Sequence, residues 1–387
     1  MKNAFFNEYS TKQKLADFIL KADQLSMGKQ CFSFELAFAR KQGSAHGVLF
    51  NSGGSANLAL LQALKNLGRL ASGDRVAFSA LTWSTNVMPI IQMGMVPVPV
   101  DCMPETLNSM SEHLQLCIQK NSIKAFFITN ALGFAGDLDK IRDICAHNKV
   151  ILVEDNCEAL GTQLLQGKTG TFGVAASFSF FVAHHLSTIE GGMLCSDDDE
   201  LAEMLRIVRA NGWDRNLEAA QQVRWRKQHN INSEFQAKYT FYDLGYSLRP
   251  TEITGFLGLI QLEALDENLS RRIRSYLKIE EAVGLNDDLL QLRREHLCVL
   301  PAFAMPIICK TSELKEKYQK QFSGAGIEIR PLIAGNMLKQ PFYEKYCDTS
   351  FALPGTDFLH ANGFYCGNYP ELTHLELEQI TSCLYKY

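Results

Sequence analysis

The sequence predicts an α/β fold with a mostly parallel sheet covered on both faces. Two observations carry this expectation. Between about residues 45 and 210, short β-rich runs alternate with helix-patterned stretches. The β-rich runs are apolar almost throughout, as in strands buried on both sides.

Taken in order, GVLF (47–50), RVAFSA (75–80), VPVPV (96–100), AFFIT (125–129) and VILVE (150–154) read as buried strands. Helix-like stretches lie between them at 54–67, 108–120 and 137–147. ASFSF (176–180) and GMLCS (192–196) bring the expected sheet to seven strands. A helical region covers about 198–210, and a long one about 251–284. The basic, Gln-rich piece from 215 to 235 interrupts the pattern and reads as a loop or lid with a solvated charged face. Beyond residue 285, CVLPAFAMPIIC, a helix at 312–324 and GIEIRPLI suggest a smaller α+β domain. The expected division is a large domain, 1–270, which includes an N-terminal helical segment (1–45), and a small domain, 271–387. In a parallel sheet of this kind, ligands sit at the C-terminal ends of the strands.

The 387 residues suggest two or three folding units, at roughly 150 residues each. With 46% hydrophobic and 21% charged residues, the chain has material for a large core. A net charge of -4 gives no basic face of the sort nucleic acid requires. No run of 18 apolar residues predicts a membrane span, and the first residues lack a secretory signal, so a cytoplasmic location is expected. Eleven cysteines are scattered singly without a CxxC pair, which fits reduced thiols and no metal site.

Four segments at predicted strand ends carry the candidate chemistry. NSGGSAN (51–57) follows a strand, and Gly54 and Ser55 would open the next helix. Helix N-termini hold phosphates, although such a turn is also compatible with no ligand at all. In ALTWSTN (80–86), Trp83 could stack on a flat ring or fill the core. In VEDNCEALGT (153–162), Asp155 suits a cationic ring nitrogen or a helix cap, and Glu158 could face a ring oxygen or a substrate group. In SFSFFVAHHLSTIEGG (177–192), Ser179 could donate to a phosphate five residues before His184, and the adjacent pair His184-His185 stands before Glu-Gly-Gly.

Together these segments resemble the DegT-type sugar aminotransferase family of fold type I pyridoxal 5'-phosphate (PLP) enzymes, and more narrowly its dehydratase branch, in which histidine replaces the cofactor-binding lysine. GTFG, GYSLRPTEITGFLGLIQL and IEIRPLIAGNMLKQPF add to the match, which runs from about Phe32 to Gly367. The resemblance implies that Asp155 pairs with the ring nitrogen, Trp83 and Glu158 contact the ring, and Gly54, Ser55 and Ser179 hold the phosphate. His184 becomes the acid/base. His185, Arg330 and Asn336 are implied substrate contacts, beside Gly335, His360 and Gly363. The family's GYN motif reads Gly245-Tyr246-Ser247, so a phosphate contact across a dimer interface would fall to Ser247 or Arg249.

One activity of this branch needs a [2Fe-2S] cluster held by thiolates, starting with a CxC element shortly after the region of NGWDRN (211–216). No cysteine occurs from there through Arg226, which favours the cluster-free activity with no metal. The implied function is a PLP-dependent 3-dehydratase in O-antigen sugar biosynthesis. It would act on a nucleotide-linked 4-keto-6-deoxyhexose, GDP-linked by analogy. L-Glutamate would convert PLP to pyridoxamine 5'-phosphate (PMP), leaving 2-oxoglutarate. The products would be a 3,6-dideoxy-4-keto sugar and ammonia. Imidazole can move protons but forms no stable imine, so the substitution itself points away from amino transfer. A 4-keto-sugar aminotransferase, a cluster-dependent 3-dehydrase and a non-catalytic sugar- or cofactor-binding paralogue are the alternatives. No lysine follows SFSFF until Lys227. A homodimer is expected.

Overall fold

The computed structural model describes residues 3–385. Its central sheet has seven strands in the order His46–Phe50, Gly192–Ser196, Ala175–Ser179, Ile151–Asp155, Ile123–Thr129, Arg75–Ser79, Val96–Val100. Six run in one direction, and only Gly192–Ser196 runs against them. Successive side chains of a strand point to opposite faces, and here both faces are covered. Val76 and Phe78 pack with the helices Gly53–Asn66 and Asp199–Arg209, whereas Ala77 packs with the layer of Ser111–Lys120 and Leu138–Asn148. Near-continuous apolar runs are therefore what the sheet needs. The helix Lys29–Gln42 closes the far edge, with Phe34 and Phe38 against Phe178 and Phe180.

A buried ion pair pins that edge. Arg209 and Glu35 meet at 2.5 Å, and the backbone of Leu49 donates to Glu35 and accepts from Arg209. Hydrogen bonds to charged groups contribute about 1.5–3 kcal/mol each. They fix the strand that leads into the NSGGSAN turn.

Two expectations need correction. The 215–235 piece is not a loop: it holds the helices Ala219–Gln228 and, at its end, Glu234–Ala237. No side chain of the first is fully buried, so it lacks the apolar stripe by which a helix is recognised. It is held instead by Trp225 Nε1 and Arg224, both donating to the buried carboxylate of Glu203. The region 251–284 is two helices, Glu252–Glu263 and Leu265–Gly284, which meet at Ala264.

The expected boundary at residue 270 falls inside the helix Leu265–Gly284, which carries the chain towards the C-terminal part. There an antiparallel sheet is ordered Ala304–Ile308, Gly363–Gly367, Ile329–Pro331. The segment between its strands Ile329–Pro331 and Gly363–Gly367 returns to the large core: Tyr343 is buried beside Phe78. Among the described residues, no helix is long and apolar enough to cross a membrane.

Candidate active site

Five strand ends converge at one mouth. After His46–Phe50 the chain turns into the helix Gly53–Asn66. Ser52 caps it, its Oγ accepting from the Ser55 backbone N–H at 3.1 Å while donating to Ser55 Oγ at 2.9 Å. The first N–H groups of such a helix have no intrahelical acceptor and carry the positive end of the dipole. Space here is tight. A Cβ on Gly53 would lie 2.8 Å from Ser179 Cβ and 3.0 Å from Cys157 Sγ, and one on Gly192 would lie 2.3 Å from the Ser52 carbonyl oxygen. Glycine is thus required for the turn, the Ala175–Ser179 strand and the reversed strand to meet. Gly54, Ser55 and Ser179 all belong to this junction.

Asp155 ends the Ile151–Asp155 strand, almost fully buried. Its Oδ2 accepts from Asn57 Nδ2 at 3.0 Å and Asn86 Nδ2 at 2.7 Å, and its Oδ1 accepts from the Cys157 backbone N–H at 2.9 Å. Three donors converging on one carboxylate satisfy its charge in a site where water is scarce. Sequence reasoning missed both asparagines, although they stand inside the quoted segments SGGSAN and TWSTN. Trp83 precedes the short helical turn that carries Asn86. It is 57% exposed, so it is not a core residue.

Glu158 accepts from the Leu132 backbone N–H at 2.8 Å. Burial, assisted by the charge of Asp155, pushes its carboxyl up to about 7. Leu132 itself sits at φ 55°, a left-handed conformation that costs a non-glycine residue about 1–3 kcal/mol. The Phe303 backbone N–H holds its carbonyl at 2.9 Å.

His184 lies on the turn after Ala175–Ser179. Its Nδ1 is 2.6 Å from the Cys157 carbonyl oxygen. A carbonyl only accepts, so Nδ1 carries the proton and Nε2 presents a lone pair. Burial pulls the imidazole down to about 4, against the Cys157 carbonyl and the Asp155 charge, which raise it. Phe303 packs on the ring at 5.0 Å between centroids.

Two of the expected substrate contacts are corrected. His185 is 1% exposed and donates through Nε2 to the Pro301 carbonyl at 2.6 Å, so the turn points it into the interior. Asn336 is buried as the cap of the turn Met337–Lys339: its side-chain oxygen accepts from the Leu338 N–H and its amide donates to Asp357. Both functions of its side chain are used internally. Gly335 is left-handed there, and His360 Nδ1 lies 2.1 Å from where its Cβ would be, so this pair is a packing unit. Arg330 is exposed and bound to Glu328, beside Tyr365. Arg330 pairs with Tyr365 in the register of the small antiparallel sheet, and the charges of Arg330 and Glu158 both act on the Tyr365 hydroxyl. Ser247 and Arg249 are exposed on either side of Leu248, whose carbonyl accepts the Asn51 N–H at 3.0 Å. They flank the NSGGSAN turn of their own chain.

The residues fit a phosphorylated pyridine. A helix N-terminus with two neighbouring hydroxyls suits a phosphate, Asp155 suits a protonated ring nitrogen, and Trp83 offers an open flat face. The Oδ1 atoms of Asn57 and Asn86, on the same amides that hold Asp155, are buried without a hydrogen-bond partner.

A family profile, the DegT/DnrJ/EryC1/StrS aminotransferase family, matches residues 7–385. The chain belongs to this family. Among DegT relatives, a GDP-4-keto-6-deoxy-D-mannose 3-dehydratase of Escherichia coli O55:H7 is 31% identical over 91% of this chain and 90% of its own length. A dTDP-4-dehydro-2,6-dideoxy-D-glucose 3-dehydratase of Saccharopolyspora spinosa is 30% identical over 94% of this chain and 81% of its own. A crystal structure of GDP-4-keto-6-deoxymannose-3-dehydratase with a trapped PLP-glutamate geminal diamine superposes with a TM-score of 0.89 at 30% identity, covering 97% of both chains. The DegT fold therefore accounts for the whole sheet and for the strand-end site. Glu154, next to Asp155, serves this fold: its buried carboxylate accepts from the N–H groups of Gly170, Phe172 and Gly173, holding the GTFG loop.

Proposed function

We propose that this chain is a PLP/PMP-dependent 3-dehydratase. It acts on a nucleotide-linked 4-keto-6-deoxyhexose, GDP-linked as in the E. coli relative, with L-glutamate as amino donor. The observation that carries this reading is the imidazole of His184 at the strand end, its Nδ1–H on the Cys157 carbonyl and its Nε2 free, where the amine of an aminotransferase would stand.

When bound, the cofactor supplies an electron sink that takes up charge as a proton leaves and the C3 hydroxyl departs. The chain's own residues do the rest. The N-terminus of Gly53–Asn66, with Ser55 and Ser179, binds the phosphate, and Asp155 faces the ring nitrogen with its charge oriented by Asn57 and Asn86. Trp83 covers one face of the ring. His184 is neutral at pH 7 and takes a proton at Nε2, then returns it to the leaving hydroxyl as water forms. Nδ1 keeps its proton throughout, so the ring does not reorient between the two transfers. Glu158, held near neutrality, presents an acceptor or a donor according to its protonation. Arg330 meets an anionic part of the glutamate or of the diphosphate. The electrons balance because glutamate leaves as 2-oxoglutarate and ammonia while the sugar is reduced at C3.

A homodimer is part of this reading. Phe235, Tyr239, Phe241 and Leu244 are all more than half exposed, close in sequence to Ser247 and Arg249. Apolar surface of that extent suits a second copy of the chain. Two inactive site variants that restore activity on mixing would support a shared site.

The test is to offer GDP-, CDP-, dTDP- and UDP-linked 4-keto-6-deoxy sugars with PLP and glutamate, and to follow ammonia and the deoxygenated sugar. Wild type should release both with one nucleotide preferred. His184→Asn should lose about 10²–10⁴-fold in rate. Full dehydration by His184→Lys, or a pyridoxyl adduct on a wild-type lysine after borohydride, would overturn the reading.

A further inference from the structure

Behind the His184-His185 turn lies a buried guanidinium that the proposed mechanism does not use. Arg272, on the helix Leu265–Gly284, is 2% exposed. Its hydrogen-bond partners are oxygens of carbonyls and an amide rather than carboxylates. Nε donates to Asn268 Oδ1 at 2.9 Å, and Nη1 donates to the carbonyls of Phe303 at 3.1 Å and Asn368 at 2.5 Å. Nη2 reaches the His184 carbonyl at 3.5 Å. Each of these partners leads back to the histidine turn or its surroundings. Asn268 Nδ2 donates to the His185 carbonyl at 2.7 Å. Phe303 packs its ring on both imidazoles, at 5.0 and 6.0 Å. Asn368 Nδ2 ties the Arg272 carbonyl to that of Ala302, at 3.1 and 2.7 Å.

A cation buried without a carboxylate in hydrogen-bond contact is costly, and proteins retain such groups where they serve a purpose. We propose that Arg272 is a positioning residue for His184: with Asn268, Phe303 and Asn368 it locks the turn that carries the imidazole and keeps a fixed positive charge behind it. The inference rests on the acid/base role proposed for His184 but can be tested apart from it.

Geometry comes first. The turn leaves the Ala175–Ser179 strand and is joined to the rest of the molecule by carbonyl contacts to Cys157, to the helix Leu265–Gly284 and to the strip of chain 301–303. Removing the guanidinium at the centre would leave the Phe303 and Asn368 carbonyls without this donor. Electrostatics follow. The charged and titratable groups around His184 are Asp155 from the adjacent strand, His185 on its own turn and Arg272 from the helix; Asp155 also acts on Glu158. Tyr369 and Glu371 also act on Arg272. Burial pulls Arg272 down to about 10, so it is still a cation at pH 7 and opposes protonation of His184, while Asp155 favours it. These two charges act in opposite directions on the proton affinity of Nε2, on top of the larger effect of burial.

The experiment is a histidine NMR titration of the cofactor-free full-length protein, with His184 assigned by its loss in His184→Asn, alongside pH profiles of kcat with the cofactor bound. Arg272→Met should raise the His184 midpoint by roughly one pH unit and move the acid limb of kcat with it. Arg272→Lys keeps the charge but not the fork; it should keep the midpoint and lower kcat about tenfold with KM changed less than about twofold. An unchanged midpoint in Arg272→Met overturns the proposal. If that variant does not fold, Arg272→Lys decides: wild-type kcat overturns the proposal, and the kcat-specific loss supports it. A purely structural role would lower Tm while leaving midpoint and acid limb in place. If His184→Asn keeps full activity, the function reading falls, and the NMR midpoint still tests the lock.

Discussion

His184 and His185 are both held below the ordinary histidine value of 6.5, by burial first, and His184 falls to about 4. As pH falls, the unfolded chain takes up these protons before the folded one. The stability that His184 contributes above pH 6.5 is therefore lost as pH falls through 4, about 3 kcal/mol in all. Glu158 has the opposite sign. Its folded value of about 7 lies above the ordinary 4.5, so its contribution is complete below 4.5 and is lost as pH rises through 7. Urea unfolding of the cofactor-free protein from pH 4 to 8 should show a steep acid limb in wild type and a shallower one in His184→Asn; equal limbs would contradict the assignment. The glycine junction gives a second prediction. Gly53→Ala has no room beside Ser179 and Cys157, and PLP affinity measured by fluorescence should fall roughly tenfold or more, about 1.4 kcal/mol. Gly324→Ala, in open space at a helix end, should leave affinity unchanged. These positions also show what the sequence could and could not say. Asp155 and His184 were legible because they follow apolar runs and match a family pattern. The role of Glu154 was not, because adjacent strand residues face opposite sides and nothing in the letters E-D says which side is the mouth. The inward turn of His185 depends on Pro301, 116 residues away, and no local signal encodes it.

Strands were the most readable elements. Each of the seven is buried on both faces along most of its length, so its letters are largely apolar, and every expected strand of the sheet is present. The helix Ala219–Gln228 was read as a loop because its contacts are polar and distant. Glu203 takes Arg224 and Trp225, and Asp214 takes Arg226 at 2.9 Å. Glu203→Ala should release this helix, lower stability by about 1–3 kcal/mol and expose 215–235 to limited proteolysis. A cleavage pattern unchanged from wild type would argue that the helix stands without that carboxylate. The break at Ala264 has no signal in the sequence because alanine is a strong helix former, and only its non-helical backbone, φ -96° and ψ 2°, reveals it.

Across the molecule, several contacts tie the C-terminal part to the sheet, two of them close to residue 340. The Met337 N–H donates to the Ala80 carbonyl at 3.1 Å, and Tyr343 is buried in the large core against Phe78. Tyr343 Oη has no hydrogen-bond partner. Tyr343→Phe should therefore be neutral or slightly stabilising, and Tyr343→Ala should cost about 3–5 kcal/mol and loosen the tie. Urea midpoints of the two variants check both halves of this expectation. The sequence suggested two units with one boundary, but a residue such as Tyr343 looks the same in either core. Its allegiance is decided by where the chain returns.

The imidazole at the heart of the site hangs from a main-chain oxygen, that of Cys157, rather than from another side chain. Every amino acid brings that oxygen, so the tautomer of His184 is indifferent to what residue occupies position 157. Natural drift or laboratory evolution can therefore remodel the side chain at that position, and with it the floor of the Gly53–Ser179 junction, while the proton-carrying nitrogen keeps its aim.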